Sequence, residues 1–260
     1  MLSMKHRQIT TVLFDLDDTL HDDTLAYRSA AEEVAQEVAA EHNIDSLSLK
    51  TAYVGHAEGF WERLEAEQLT TKLGRVRASL WHAALCDVGL DDTELAARCG
   101  SQYNLYRRKY FKMFPGSVEM LHELRDCGIK LGLVTNGFAE THREKIALLN
   151  IGELFDAIFI ADEVGMIKPD PLLFAHACVK LESSPAGSAM VGDRYERDIR
   201  GALRAGLYTI WMNVHGATLP AGAPPPDVTV HTISEVAQSL RRIVDCGGHS
   251  LVQRRSQDAE

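Results

Sequence analysis

The run Val12-Leu13-Phe14-Asp15-Leu16-Asp17-Asp18-Thr19-Leu20 closes an apolar stretch with three acids within four positions. Residues 9–14 are β-branched, leucine and aromatic, the texture of a strand buried on both faces, so Asp15 emerges at the strand's carboxyl end. Asp15 and Asp17 are two apart. In an extended segment both carboxylates point to one side, where like charges need a cation or a shared proton. Magnesium is the natural neutraliser, because it prefers hard oxygen ligands and keeps waters and substrate phosphate in its shell. Further polar groups fall at or just past strand-like runs: Thr135-Asn136-Gly137 after 131–134, Lys168-Pro169-Asp170 after 157–161, and Asp193, with Asp198 behind it, after 189–191. These residues form a kit for handling phosphate with magnesium. Asp15 can attack phosphorus directly. Asp17 can protonate the departing alcohol and later take a proton from water. Thr135, backbone N–H groups at Asn136, and Lys168 can hold phosphoryl oxygens and offset their charge. Asp193 completes a hard-oxygen metal site that Asp198 can orient.

The elements that must position this kit alternate. Tyr27, Ala30, Val34 and Val38 recur at helical spacing behind Asp22 and Asp23, and helical patterns follow over 48–66, 71–88 and 91–111, with Gly89 a stop between the last two. Beyond Phe114-Pro115-Gly116 helices are expected over 117–127, 139–149, 171–181 and 196–205, and strands over 129–134, 157–161, 189–191 and 208–212. That alternation is the signature of an α/β fold, a parallel sheet with helices on both faces. The expected organisation is an α/β catalytic core of residues 1–20 and 112–245, a helical insert over 21–111 and a polar tail, 246–260, expected to be disordered. An insert after the first strand stands above that strand's carboxyl end, where open parallel sheets bind ligands, and can serve as a lid.

The chain of 260 residues carries a net charge of −10 and 45% hydrophobic residues. Its scattered basic residues offer no nucleic-acid footprint and no attraction to anionic membranes. No window approaches the ~18 apolar residues of a membrane helix. Lys5, His6 and Arg7 are followed by an apolar stretch that Asp15 interrupts, too short for a secretory signal. The five cysteines lack CxxC spacing, which argues against a disulfide framework and a structural zinc site and fits a cytoplasmic location. Eleven histidines show no HExxH spacing.

Taken singly, each motif has a plainer reading. Thr135-Asn136-Gly137 is a common turn, Lys168-Pro169 a surface loop, GDxxxxD a solvated helix start, and acids after a strand can cap the next helix. Their order, each at the same end of a strand, favours function. FDLDDTL, LVTNG, IKPDP and GDRYERD resemble, in that order, the four signatures of the haloacid dehalogenase superfamily, in particular its magnesium-dependent phosphatases with a helical (C1-type) cap inserted after the first strand. The resemblance spans 12–212. It implies a Rossmann-like sheet whose first strand lies between the Thr135 and Asp193 strands. It further implies Asp15 as nucleophile and metal ligand, Asp17 as acid/base whose main-chain carbonyl also binds magnesium, Thr135 as phosphate-binding, Lys168 as the lysine that steadies nucleophile and phosphate, Asp193 as metal-binding, and Asp198 as a direct or water-mediated contributor.

The expected reaction is Mg2+-dependent hydrolysis of a small phosphorylated metabolite, such as a nucleotide or sugar phosphate, by a monomer or homodimer that engages neither nucleic acid nor membrane. A phosphomutase or a 2-haloacid dehalogenase would use the same fold, but members of the latter branch usually carry an aromatic residue where Asp17 stands. A receiver-like phosphoacceptor module would not turn over substrate; such modules are much shorter and lack a DxD pair followed by an insert. Trp61, Trp81, Phe60 and Tyr53 read as helix-packing residues rather than a substrate cage, Arg107, Arg108 and Lys109 as a solvated face, and His21, beside the catalytic loop, as an exposed histidine rather than a substrate contact.

Overall fold

A computed structural model describes residues 8–244; the expectations for residues 1–7 and for the tail lie outside that range. Strand β1 (Thr11–Phe14) is followed by four helices, α1 (Asp23–His42), α2 (Ser46–Glu62), α3 (Leu73–Asp87) and α4 (Thr93–Lys109). The chain continues through α5 (Ser117–Asp126), β2 (Lys130–Thr135), α6 (Ala139–Leu148), β3 (Ala157–Ile160), the single turn α7 (Ala161–Val164) and α8 (Pro171–Lys180). It ends with β4 (Ser188–Gly192), a π turn (Tyr195–Ile199), α9 (Arg200–Ala205), β5 (Tyr208–Met212), β6 (Val228–Val230) and α10 (Ile233–Ile243).

The six strands form one parallel sheet in the order β3-β2-β1-β4-β5-β6. Alternation along β1 explains the layers. Val12 and Phe14 enter an apolar cluster with residues of α5, α6 and α10, while Leu13 enters another with α8 and α9. The fold is therefore the expected Rossmann-like α/β arrangement, with helices on both faces. Phe14 sits opposite Leu133 of β2 and Val191 of β4, so Asp15, Thr135 and Asp193 reach the same edge.

Helices α1 to α4 enclose an apolar cluster of their own, in which Tyr53 stacks on Trp81 at 3.9 Å between centroids. These aromatics pack helices, as their spacing suggested. A second seam joins the insert to the sheet layer: Leu64, Leu69, Leu73 and Val76 meet Phe138 and Ala161, and Trp61 meets the Phe138 ring edge-on.

Strand β6 and helix α10 were not expected from the sequence, and two other features depart from the sequence expectation. The helix expected over 196–205 begins as a π turn, one residue wider than an α turn, and this brings Asp198 back toward the sheet. Cys127 is disulfide-bonded, whereas Cys86, Cys99 and Cys178, the other cysteines among the described residues, are free.

Candidate active site

Lys168 organises the carboxyl edge of the sheet. It lies in the loop after β3 and α7, is 2% exposed, and places Nζ 2.5 Å from Asp15 Oδ1 and 2.6 Å from Asp198 Oδ1 while donating to the Val134 carbonyl at 2.9 Å. It hydrogen-bonds Asp15 and the Val134 carbonyl and pairs by charge with Asp198. Burial alone would favour the neutral amine, but Asp15 and Asp198 hold Lys168 charged, well above the ordinary lysine range. Asn136, expected near phosphate through its backbone, uses its side chain otherwise: Nδ2 donates to the Lys168 carbonyl at 3.0 Å and Oδ1 accepts the Lys168 N–H at 2.9 Å. It fixes the lysine loop. Arg197 reaches the same carbonyl at 3.0 Å and also donates to the carbonyls of Glu62 and Leu64 at 2.7 and 3.0 Å, tying the end of α2 to that loop.

The acids crowd together. Single oxygens of Asp15, Asp193 and Asp198 lie within 4.8 Å of one another, and the Thr19 hydroxyl stands 3.5 Å from Asp15 and 3.4 Å from Asp193. Asp198 approaches so closely because position 192 is glycine: a Cβ there would lie 2.5 Å from the Asp198 side chain. The Arg194 N–H fixes Asp198 from the other side at 2.9 Å. Burial, opposed by Lys168 but reinforced by Asp198 and Asp17, pushes the Asp15 carboxyl up to about 7. Burial and the neighbouring Asp198, Asp15 and Asp18 push Asp193 well above its ordinary value. An all-oxygen donor set with more negative charge than one lysine can neutralise fits a small hard dication. Thr135 ends β2 at the same edge, 1% exposed.

Asp17 faces a different group. Its Oδ1 accepts from Lys145 Nζ at 2.5 Å and its Oδ2 lies 3.4 Å from His142 Nε2. Burial and Asp23 would raise its pKa, but Lys145 and His142 prevail and hold it far below the usual carboxylate range. Lys145 also donates to Asp23 at 2.9 Å, and Asp23 in turn pairs with Arg107. The sequence expectation fails at two of these residues. Arg107 is 6% exposed, not part of a solvated face, although Arg108 and Lys109 beside it do form surface pairs with Glu144 and Glu33. His21 is fully buried and serves as a strut, with Nδ1 2.9 Å from the Lys112 carbonyl and Nε2 3.4 Å from Asp23. Lys145, His142 and Asp23 had no motif to announce them; a lysine and a histidine three apart on one helix face were the available signal. The His142 ring also stands over Gly137, where a Cβ would meet it at 2.4 Å, which gives the Asn-Gly dipeptide a steric reason beyond its turn.

The sequence profile of the haloacid dehalogenase-like hydrolases matches residues 12–212. The chain is 33% identical over 249 residues to an N-acylneuraminate-9-phosphatase of Rattus norvegicus, spanning 92% of this chain and 96% of that one. It is 30% identical over 243 residues to a phosphoserine phosphatase of Thermus thermophilus, spanning 86% and 96% respectively. Among solved structures, a magnesium-bound hydrolase, YfnB of Bacillus subtilis, superposes with a TM-score of 0.73 at 23% identity, covering 90% of this chain and 99% of that one. A 2-haloacid dehalogenase of Pseudomonas syringae superposes with a TM-score of 0.62 at 27% identity, covering 90% and 99%. No helix among the described residues is long and apolar enough to cross a membrane.

Proposed function

We propose that this chain, which belongs to the haloacid dehalogenase-like hydrolases and is a phosphatase, hydrolyses small soluble phosphomonoesters through a phosphoaspartate on Asp15. The observation that carries the reading is the Lys168 ammonium set between Asp15 and Asp198 at the end of the central strand. Asp15 Oδ attacks phosphorus, and the ester oxygen leaves with a proton from Asp17. Water then attacks the phosphoaspartate and gives its proton to Asp17, which restores the Asp15 carboxylate and the protonated Asp17 and releases inorganic phosphate. Lys168 holds the Asp15 carboxylate and offsets charge on the transferring group, and Thr135 offers its hydroxyl to a phosphoryl oxygen.

His142 positions Asp17: its Nδ1 lies 3.0 Å from the Phe138 carbonyl and its Nε2 stands 3.4 Å from Asp17 Oδ2. Asp15, Asp193 and Asp198 would hold Mg2+ together with the Asp17 main-chain carbonyl. When bound, the ion neutralises phosphoryl charge and relieves repulsion between Asp15 and an anionic substrate.

Residues 21–111 serve as a cap that shields this edge, which favours metabolites over folded phosphoproteins. The relatives' names, an acylneuraminate 9-phosphate and a phosphoserine enzyme, suit that size class. A phosphate-release screen over small phosphomonoesters with and without Mg2+, joined to acid-quench trapping of labelled phosphate on Asp15, tests the reading. Asp15→Asn should lower turnover at least ~10³-fold with the fold intact; a tenth of the activity retained would refute the nucleophile.

A further inference from the structure

The helical insert carries a second cluster of donors that shares no residue with the proposed catalytic site. His82 and Cys86 are four apart on α3 and therefore lie on one face, one turn from each other. Asp91 joins them from the turn between α3 and α4. Three atoms converge: His82 Nε2 lies 2.9 Å from Asp91 Oδ1, and Cys86 Sγ lies 3.8 Å from His82 Nε2 and 3.9 Å from Asp91 Oδ1. Neither the paired-cysteine nor the HExxH spacing announces this set, because its third member comes from a loop and its helix pair mixes histidine with cysteine.

We propose that His82, Cys86 and Asp91 bind a zinc-like divalent cation, with water in the fourth position. Zinc accepts imidazole, thiolate and carboxylate at about 2.0–2.3 Å in a tetrahedron, which places ligand atoms about 3.3–3.6 Å apart. The observed separations bracket that spacing, so a few tenths of an ångström convert the cluster into a coordination shell. Rigid elements hold the donors. The turn is locked by Leu90 N–H donating to the Leu85 carbonyl at 2.9 Å, with Gly89 at φ 87° reversing the chain. The next residue, Asp92, caps α4 through the N–H groups of Glu94 and Leu95 at 2.9 Å each. An ion here would join the end of α3 to the start of α4.

Binding displaces the thiol proton to solvent and forms a metal–thiolate bond, with no change of oxidation state. Magnesium does not compete, since it shuns sulfur, and zinc has little use for the all-oxygen set at Asp15, Asp193 and Asp198 when Mg2+ is in excess. Cys86 lies nine residues beyond Arg77, whose guanidinium meets Thr141 of the sheet layer at 3.4 Å; that is about 13 Å further along the helix. The site is thus separate from the catalytic edge.

The test uses the full-length protein, stripped of metal and returned to excess Mg2+. Cobalt(II), which takes the place of zinc and is coloured, is added while near-ultraviolet absorbance is followed. One equivalent should produce a thiolate-to-cobalt charge-transfer band that zinc abolishes. Cys86→Ser should remove the band. His82→Ala and Asp91→Asn should weaken cobalt binding on the order of tenfold or more, and Asp193→Asn should leave it unchanged. Zinc should also protect Cys86 from alkylation in the native protein, where Cys99 and Cys178 are buried. Absence of the band in the unsubstituted protein, or its survival in Cys86→Ser, overturns the proposal. All these side chains are exposed or half-exposed, so the variants fold, and matching circular dichroism verifies it.

Discussion

Gly192→Ala is a one-methyl test of the carboxylate cluster. The methyl would stand 2.5 Å from Cβ, Cγ and Oδ2 of Asp198, whereas ordinary contact begins near 3.4 Å, so the two must separate by 3.4 − 2.5 = 0.9 Å. Asp198 cannot yield without loss, because Oδ1 is 2.6 Å from Lys168 Nζ and Oδ2 accepts the Arg194 N–H at 2.9 Å. Displacement of that size at a reacting centre costs about 10²-fold in rate, or about 3 kcal/mol of transition-state stabilisation. Overpacking alone would take about 1–3 kcal/mol from stability. Phosphate release from a small phosphomonoester, measured across a Mg2+ titration with a parallel thermal melt, separates the two effects. We expect kcat/KM to fall about a hundredfold and the Mg2+ requirement to rise while a cooperative melt persists. Activity within threefold of the parent would show that the contact between Gly192 and Asp198 does not set the geometry of Lys168.

Other outcomes follow from the same site. In the metal-free protein Asp15 titrates near 7 in the fold against 3.8 in the unfolded chain, and Asp193 is raised too; the folded state holds protons more tightly, and stability is lost as pH climbs from about 4 to about 7. The depressed Asp17 and Asp23 act in the opposite sense but only below 3.8. The ceiling for Asp15 is about 4 kcal/mol. Melting in chelator should therefore show a falling Tm from pH 5 to 7.5 that Mg2+ abolishes, and a flat profile in chelator would contradict the crowding of acids. Lys145→Met strands two carboxylates beside each other and should cost about 3–5 kcal/mol, to be read by denaturant unfolding; an unchanged midpoint would refute the network. Arg197→Lys keeps the charge but cannot span three carbonyls, and should raise amide exchange at both 62–64 and 168 together; protection unchanged at either end disproves the bridge.

The residues of the candidate site were legible because each closes a strand or follows one, where an acid, threonine or lysine interrupts apolar texture. Asp15, Lys168, Asp193 and Asp198 converge as the motif order implied. Asp17 is held in addition by Lys145 and His142 from α6, a contact between residues more than a hundred positions apart that no local pattern encodes. Arg107 misread as solvated for a similar reason: its neighbours Arg108 and Lys109 are surface residues, and only the position of Asp23 draws it inward. The π turn escaped notice because helical periodicity is the same on either side of one inserted residue. Helix α10 has no counterpart in the sequence expectations although Ile233, Val236, Ala237 and Leu240 recur at helical spacing behind the Thr232 cap. Strand β6, three residues after a proline-rich stretch, is too short for alternation to declare itself.

The Arg197 guanidinium spans the end of α2 and the lysine loop, so any outward displacement of the insert must break its hold on the Glu62 and Leu64 carbonyls. The Lys168 backbone would then keep Asn136 as its partner on both N–H and C=O, so the seam is fastened by two side chains of which only one reaches across it.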